Sequence, residues 1–296
     1  MRARAFFFII LSGLMWGTSG LFVHFMSPYG FTSLQMTALR GSIAFVAMLG
    51  FVLIRNRSAL RVSARDLLLF VAIGFCLFGA AASYFFAMQL TSVATAVVLM
   101  YTSPIYVTIF SALFFGERFN KIKLIAVALM LVGCCFVSGV VGGMKFHPLG
   151  IFLGILSGET YGGYNILTKI AMRRNCAATS TTLYGFLVMA ITAISVCNPG
   201  EIPSHIAKHP ALLLPLVILL GLVTYVFPYT LYTIGLRDLP AGTASALGIV
   251  EPMAATVFSI IVIKEPMTVF SVLGILLILG AVFLLSRGDA DAKESA

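Results

Sequence analysis

The chain has 296 residues, of which 60% are hydrophobic and only 10% charged, with a mean hydropathy of +1.06. So little polar surface excludes a water-soluble globule and leaves lipid as the solvent for most of the molecule. The formal charge of +9 does not indicate nucleic acid, because the Lys and Arg residues lie in short turns between apolar runs rather than on one polar face.

A helix needs about 20 apolar residues to cross the hydrocarbon core, and cutting the chain at polar or Pro/Gly-containing turns gives ten expected spans. Span 1 (5–26) is as long as a full crossing and lacks an A-x-A-type cleavage site, so it reads as a membrane helix and not a signal peptide; it carries Gly13, Trp16 and Gly17. Span 2 (31–54) holds Arg40, and span 3 (67–88) is uniformly apolar. Span 4 (92–115) carries Tyr101 and Pro104 and leads into span 5 (121–141). Span 6 (148–169) has Gly150, Gly154, Gly158 and Gly162 at four-residue intervals, a face that favours close helix association in lipid, together with Glu159 and Tyr161. Span 7 (178–198) precedes span 8 (211–234), with Tyr225 and Pro228, and span 9 (240–263), with Glu251 and Pro252. Span 10 (268–286) is followed by a polar tail at 288–296. The five cysteines show no metal or redox spacing and read as small hydrophobes.

The positive-inside rule tests this division. With the amino terminus in the cytoplasm, all but four of the nineteen Lys and Arg residues fall on the cytoplasmic side; Lys145, Lys208 and Lys264 lie opposite, and Arg40 is within a span. The expected protein is thus a multi-pass protein of the inner or plasma membrane with both termini cytoplasmic.

The chain also repeats itself. A shift of 148 places Tyr84 on Tyr232, Pro104 on Pro252, Phe110 on Phe258 and Glu117 on Glu265, and a shift of 145 places Gly13, Trp16 and Gly17 on Gly158, Tyr161 and Gly162. Five spans per copy is an odd number, so the second copy enters the membrane from the opposite side. The expected architecture is therefore an all-α integral membrane protein of ten transmembrane helices, arranged as two inverted five-helix repeats, 1–143 and 144–287. Inverted repeats suit alternating access, because one fold in two orientations has two nearly equivalent states, each open to one side.

Phe114-Phe115-Gly116-Glu117-Arg118 closing the fourth span, Glu251-Pro252 with Lys264-Glu265-Pro266, and Trp16-Gly17 together resemble the EamA-type transporters of the drug/metabolite transporter superfamily. The resemblance covers essentially the whole chain. It implies ten helices around a central cavity lined mainly by spans 1, 3, 4, 6, 8 and 9, and secondary transport of small metabolites, often amino-acid export. Span 6 departs from the family pattern, reading Ser157-Gly158-Glu159-Thr160-Tyr161-Gly162 where Ser-Trp-Ala or similar is usual.

Counting about 1.5 Å per helical residue puts Glu159 and Glu251 roughly 16 Å, and Arg40 about 14 Å, from the ends of their spans. Ionisable groups at that depth pair with one another or face a cavity, and one arginine cannot neutralise two carboxylates. The surplus acid is either protonated, hydrated or matched by a cationic substrate, so protons are a candidate coupling ion, and Glu159, Glu251 and Arg40 are candidates for coupling or for structural charge. Trp16, Tyr101, Tyr161 and Tyr225 reach the same level and, with Glu159 and Glu251, are the candidate substrate-binding residues; their rings suit an ammonium group or an aliphatic side chain. Glu159 and Tyr161 diverge by about 200° around a helix, which argues against both touching one ligand. Pro104 and Pro252 are hinge candidates, and Pro228 is expected to kink span 8.

No catalytic constellation, metal motif or P-loop is present, so neither an enzyme nor a cofactor is expected. The leading expectation is a secondary transporter, working as an exporter of amino acids or related metabolites on a small-molecule substrate in the bilayer, with a monomer sufficient. The alternative is a transporter of organic cations; a membrane-embedded enzyme or a non-transporting scaffold is more remote.

Overall fold

The computed structural model describes residues 2–116, 121–140, 147–264 and 266–294. The expectations for Glu117, Arg118, Lys145 and Glu265 lie outside the described residues. Those described form helices and turns with no strand.

Helix α1 (Arg2–Gly17) continues after a break at Thr18 into α2 (Ser19–Met26). Three helices then follow polar caps that satisfy their first amides. Thr32 and Gln35 form a capping box at α3 (Ser33–Arg55), Ser63 caps α4 (Ala64–Leu90), and Ser92 caps α5 (Val93–Met100). Next come α6 (Ser103–Phe115), stopped by Gly116 at a φ of 65°, then α7 (Lys121–Val137) and α8 (Pro148–Arg173). The remaining helices are α9 (Ala178–Val196), α10 (Ile202–Ala207), α11 (Pro210–Gly221), α12 (Phe227–Asp238), α13 (Ala241–Leu247), α14 (Val250–Phe258) and α15 (Val269–Glu294). Two single π turns interrupt this pattern, Leu222–Val226 between α11 and α12 and Ser259–Ile263 after α14.

Helix runs through each of the ten expected intervals. Among the described residues, seven stretches are long and apolar enough to cross a membrane: Ala3–Tyr29, Ser33–Arg55, Ala64–Leu90, Thr95–Phe115, Ala178–Val196, Pro210–Asp238 and Ala241–Ile263. The others differ for readable reasons. α7 has only 17 residues, the apolar part of α15 is the shorter Val269–Leu285, and α8, at 26 residues, is diluted by Glu159, Asn165 and Lys169.

The main packing pairs are α4 with α8, α7 with α15, α3 with α9, α1 with α12 and α14, and α8 with α5 and α6. One continuous core joins these helices, from Ile9 and Trp16 through Tyr101, Tyr164 and Phe186 to Tyr232 and Ile249. The outward surfaces carry Leu68, Leu113, Phe152 and Phe283, apolar side chains that only lipid would cover without penalty.

Candidate functional site

The site grows from two interrupted helices. Pro104 and Pro252 were expected to kink their spans; the structure instead breaks the helix just before each, at Tyr101–Thr102 and at Gly248–Ile249. A proline ring crowds the carbonyl four residues earlier and supplies no N–H, which places the disturbance at Met100 and Gly248. The two breaks agree with the 148-residue repeat to within one residue.

Each break is met by a glycine from the first helix of the other half. A Cβ on Gly13 would lie 3.2 Å from Val250 Cβ and 3.5 Å from the Glu251 nitrogen, just after the Gly248–Ile249 break, and one turn on a Cβ on Gly17 would lie 2.6 Å from Ala254 Cβ and 2.9 Å from the Ala255 nitrogen of α14. A Cβ on Gly158 would lie 3.0 Å from the carbonyl oxygens of both Leu99 and Met100 at the end of α5. The small-residue faces of α1 and α8 therefore serve close approach to broken backbone, a role that the four-residue spacing alone does not specify.

Aromatic rings gather around this crossing. The Trp16 ring centre lies 6.5 Å from Tyr161, 4.9 Å from Tyr229 and 5.2 Å from Tyr232. Tyr225 lies 5.0 Å from Tyr229, and Phe186 closes the group at 5.8 Å from Tyr229. Behind them the Tyr232 hydroxyl donates to Asn165 Oδ1, and Asn165 Nδ2 donates to the Tyr161 carbonyl at 2.8 Å. That chain fixes the rings of α8 and α12 relative to each other.

Glu251, in the first turn of α14, is half-buried. It interacts electrostatically with the hydroxyls of Tyr84, Tyr101, Tyr161, Tyr225 and Tyr229. Trp16 Nε1 is buried with no hydrogen-bond partner, and the buried Tyr101 hydroxyl lies beside the Glu251 carboxylate.

Arg40 is buried on α3, with Nε donating to the Met36 carbonyl at 3.4 Å. Its guanidinium carbon lies 5.5 Å from the Tyr225 ring centre and 6.0 Å from that of Phe85. Arg40 and Glu251 make no ion-pair contact, so the direct pair that their shared depth suggests does not form. Aromatic faces solvate the cation instead.

Of the sequence candidates, Trp16, Tyr101, Tyr161, Tyr225, Glu251 and Arg40 converge here. Glu159 does not: it is exposed on α8, on the side of the helix away from buried Tyr161. The angular divergence of the two positions carries through into three dimensions. Tyr84, Tyr164, Tyr229 and Asn165 were not singled out as site residues; the spacing of Tyr225, Tyr229 and Tyr232 along one helical face was the available signal.

The sequence pattern of the EamA-like transporter family matches residues 3–139 and 148–287. The chain belongs to the EamA family. Among its EamA relatives, an uncharacterized transporter of Archaeoglobus fulgidus is 29% identical over 94% of this chain and 95% of its own. The transporter YwfM of Bacillus subtilis is 26% identical over 97% and 95%, respectively. The threonine/homoserine exporter RhtA of Salmonella typhimurium is 25% identical over 83% of this chain and 79% of its own. A crystal structure of a protein 21% identical superposes with a TM-score of 0.78 over 96% of both chains, so the two share a fold. This EamA protein is accordingly a multi-pass membrane transporter, and its relatives' names point to transport rather than catalysis.

Proposed function

We propose that this EamA protein is a secondary transporter that exports amino acids or closely related zwitterionic metabolites by alternating access. The proposal takes the chain as ten spans in two inverted halves, 1–143 and 144–287, with both termini and the 288–296 tail in the cytoplasm. The packing pairs support that arrangement: exchanging the halves turns α4–α8 into α12–α1 and turns α6–α8 into α14–α1, while α3–α9 and α7–α15 map onto themselves.

The observation that carries the substrate reading is the charge inventory of the central site. One carboxylate, Glu251, and one guanidinium, Arg40, sit among the rings of Trp16, Tyr101, Tyr161 and Tyr225 without forming an ion pair. An ammonium suits Glu251 and the rings of Trp16, Tyr101 and Tyr161, while a carboxylate suits Arg40 beside Tyr225. The organic-cation alternative rested on a surplus carboxylate, and with Glu159 outside the cluster that surplus is gone, which favours a substrate carrying both charges. The printed name of RhtA supports amino-acid export. Glu251 is also the group we assign to carrying a coupling proton, because it is the carboxylate whose charge state a substrate ammonium would sense.

The deciding experiment is transport by the purified protein in liposomes, comparing neutral amino acids with quaternary ammonium compounds under an imposed pH gradient. Transport of amino acids that needs both Arg40 and Glu251 supports the reading. Transport of quaternary ammonium needing only Glu251 would replace it with the organic-cation reading.

A further inference from the structure

The halves of the molecule are not in the same state, and one side chain marks the difference. Lys169, on α8 and only 7% exposed, donates from Nζ to the carbonyls of Leu236 and Leu239, both at 2.6 Å, and to Arg237 at 3.5 Å. These carbonyls end α12, where the helix has no further amides to offer and its dipole is negative. An ammonium placed among them ties the ends of α8 and α12 together on the side that also bears Arg173, Arg174 and Arg237.

The 145-residue shift relates Lys169 to His24, and the 148-residue shift relates the end of α12 to the end of α4, Asp238 to Leu90. The equivalent contact on the opposite side would join His24 to the carbonyls near Leu90. It is not made: His24 is exposed and its ring meets only its neighbour Phe25. The packing agrees. α8 packs on α12 and α13, whereas α1 and α2 make no comparable packing with α4 or α5. On that opposite side lies a cleft of about 240 Å³ lined by Gln35, Phe85, Gln89 and Glu201, and Phe85 is the ring beneath Arg40. The Lys169 contacts and the α8–α12 packing thus draw the helix ends together on the basic side, where a smaller space of about 140 Å³ remains beside Ala177 and Arg237, and no such tie is made on the other.

We propose that Lys169 is the latch that holds the basic side closed during the transport cycle, and that His24, in the equivalent place, leaves the opposite side without one. The inference rests on the alternating-access reading. It makes Lys169 a positioning residue that biases the two states without touching substrate. A two-state equilibrium responds to any group that binds one state better than the other, and each carbonyl bond held in only one state contributes to that bias.

The test uses the full chain in nanodiscs, its cysteines replaced by alanine, with spin labels at Ala177 and Asp238 to report the basic side and at Ser27 and Gln89 to report the other. Lys169→Met should raise the long-distance fraction at the basic side about tenfold, and Lys169→Arg should largely restore the short distance. His24→Lys, at an exposed position that leaves folding undisturbed, should shorten the distance on the opposite side; it decides the question alone if Lys169→Met fails to fold. Unchanged distances in a folded Lys169→Met and in His24→Lys, in protein that still transports, would make Lys169 a static brace and overturn the latch. A wild-type protein that transports nothing and keeps one distance on each side under substrate and pH gradients would overturn the latch together with the reading beneath it.

Discussion

Single residues separate the central site from the rest of the membrane interior. Glu251→Gln removes the charge while keeping the shape, and loss of one charge-assisted bond of about 1.5–3 kcal/mol should lower amino-acid transport in liposomes about 10- to 100-fold. Glu159→Gln should leave transport within about twofold of wild type, because that side chain is exposed and apart from the ring cluster. Tyr232→Phe leaves Asn165 Oδ1 without its donor; thermal denaturation should report a loss of about 1 kcal/mol, with the rings of α8 and α12 less firmly related. Depth was readable from the chain, since counting residues from a span end needs only the helical rise, and so Trp16, Tyr101, Arg40 and Glu251 could be named. Direction around the helix was readable only in part. The sequence separates Glu159 from Tyr161 in angle but cannot say which of them faces inward, because that depends on which neighbours α8 acquires. Tyr229 and Tyr164 escaped notice because a tyrosine in an apolar helix looks the same whether it packs or lines a space.

At the scale of elements, the close approach of α1 to α14 and of α8 to α5 governs what the glycines can tolerate. A valine at Gly17 would drive its side chain into Ala254 and the Ala255 backbone nitrogen. Because backbone cannot rotate away as a flexible side chain would, Gly17→Val should cost at least about 3 kcal/mol, at the upper end of overpacking effects. Gly20→Val on the same stretch of chain meets nothing within 4 Å and serves as the control, with both read by thermal unfolding in detergent. The prolines announced irregularity in these spans, but a proline is compatible with a bend, a π turn or a full stop. The choice was made by partners: α1 and α8 approach so closely that an interrupted helix fits where a smooth one would collide.

The whole molecule repeats itself in sequence and in packing, yet its two sides differ. The apolar runs made the helix pattern legible, and the distribution of Lys and Arg is the basis of the proposed orientation, since both are properties of the chain against lipid and need no tertiary information. A reporter fused to either terminus should be active only when it functions in the cytoplasm, and one fused after Lys208 only outside; the opposite pattern would reverse the assignment. The asymmetry was not legible because a repeat fold encodes two states with one pattern of helices, and the choice between them rests on individual side chains such as Lys169 and His24. The π turn at Leu222–Val226 adds a further consequence. It holds one residue more than an ordinary turn, so relaxing it to α-helical geometry would rotate Tyr225 by about 100° relative to Tyr229. Such a rotation carries the ring off the Arg40 guanidinium, which makes the extra residue a built-in register shift: the slack needed to re-aim a binding-site side chain is stored within a single turn of α-helical neighbours.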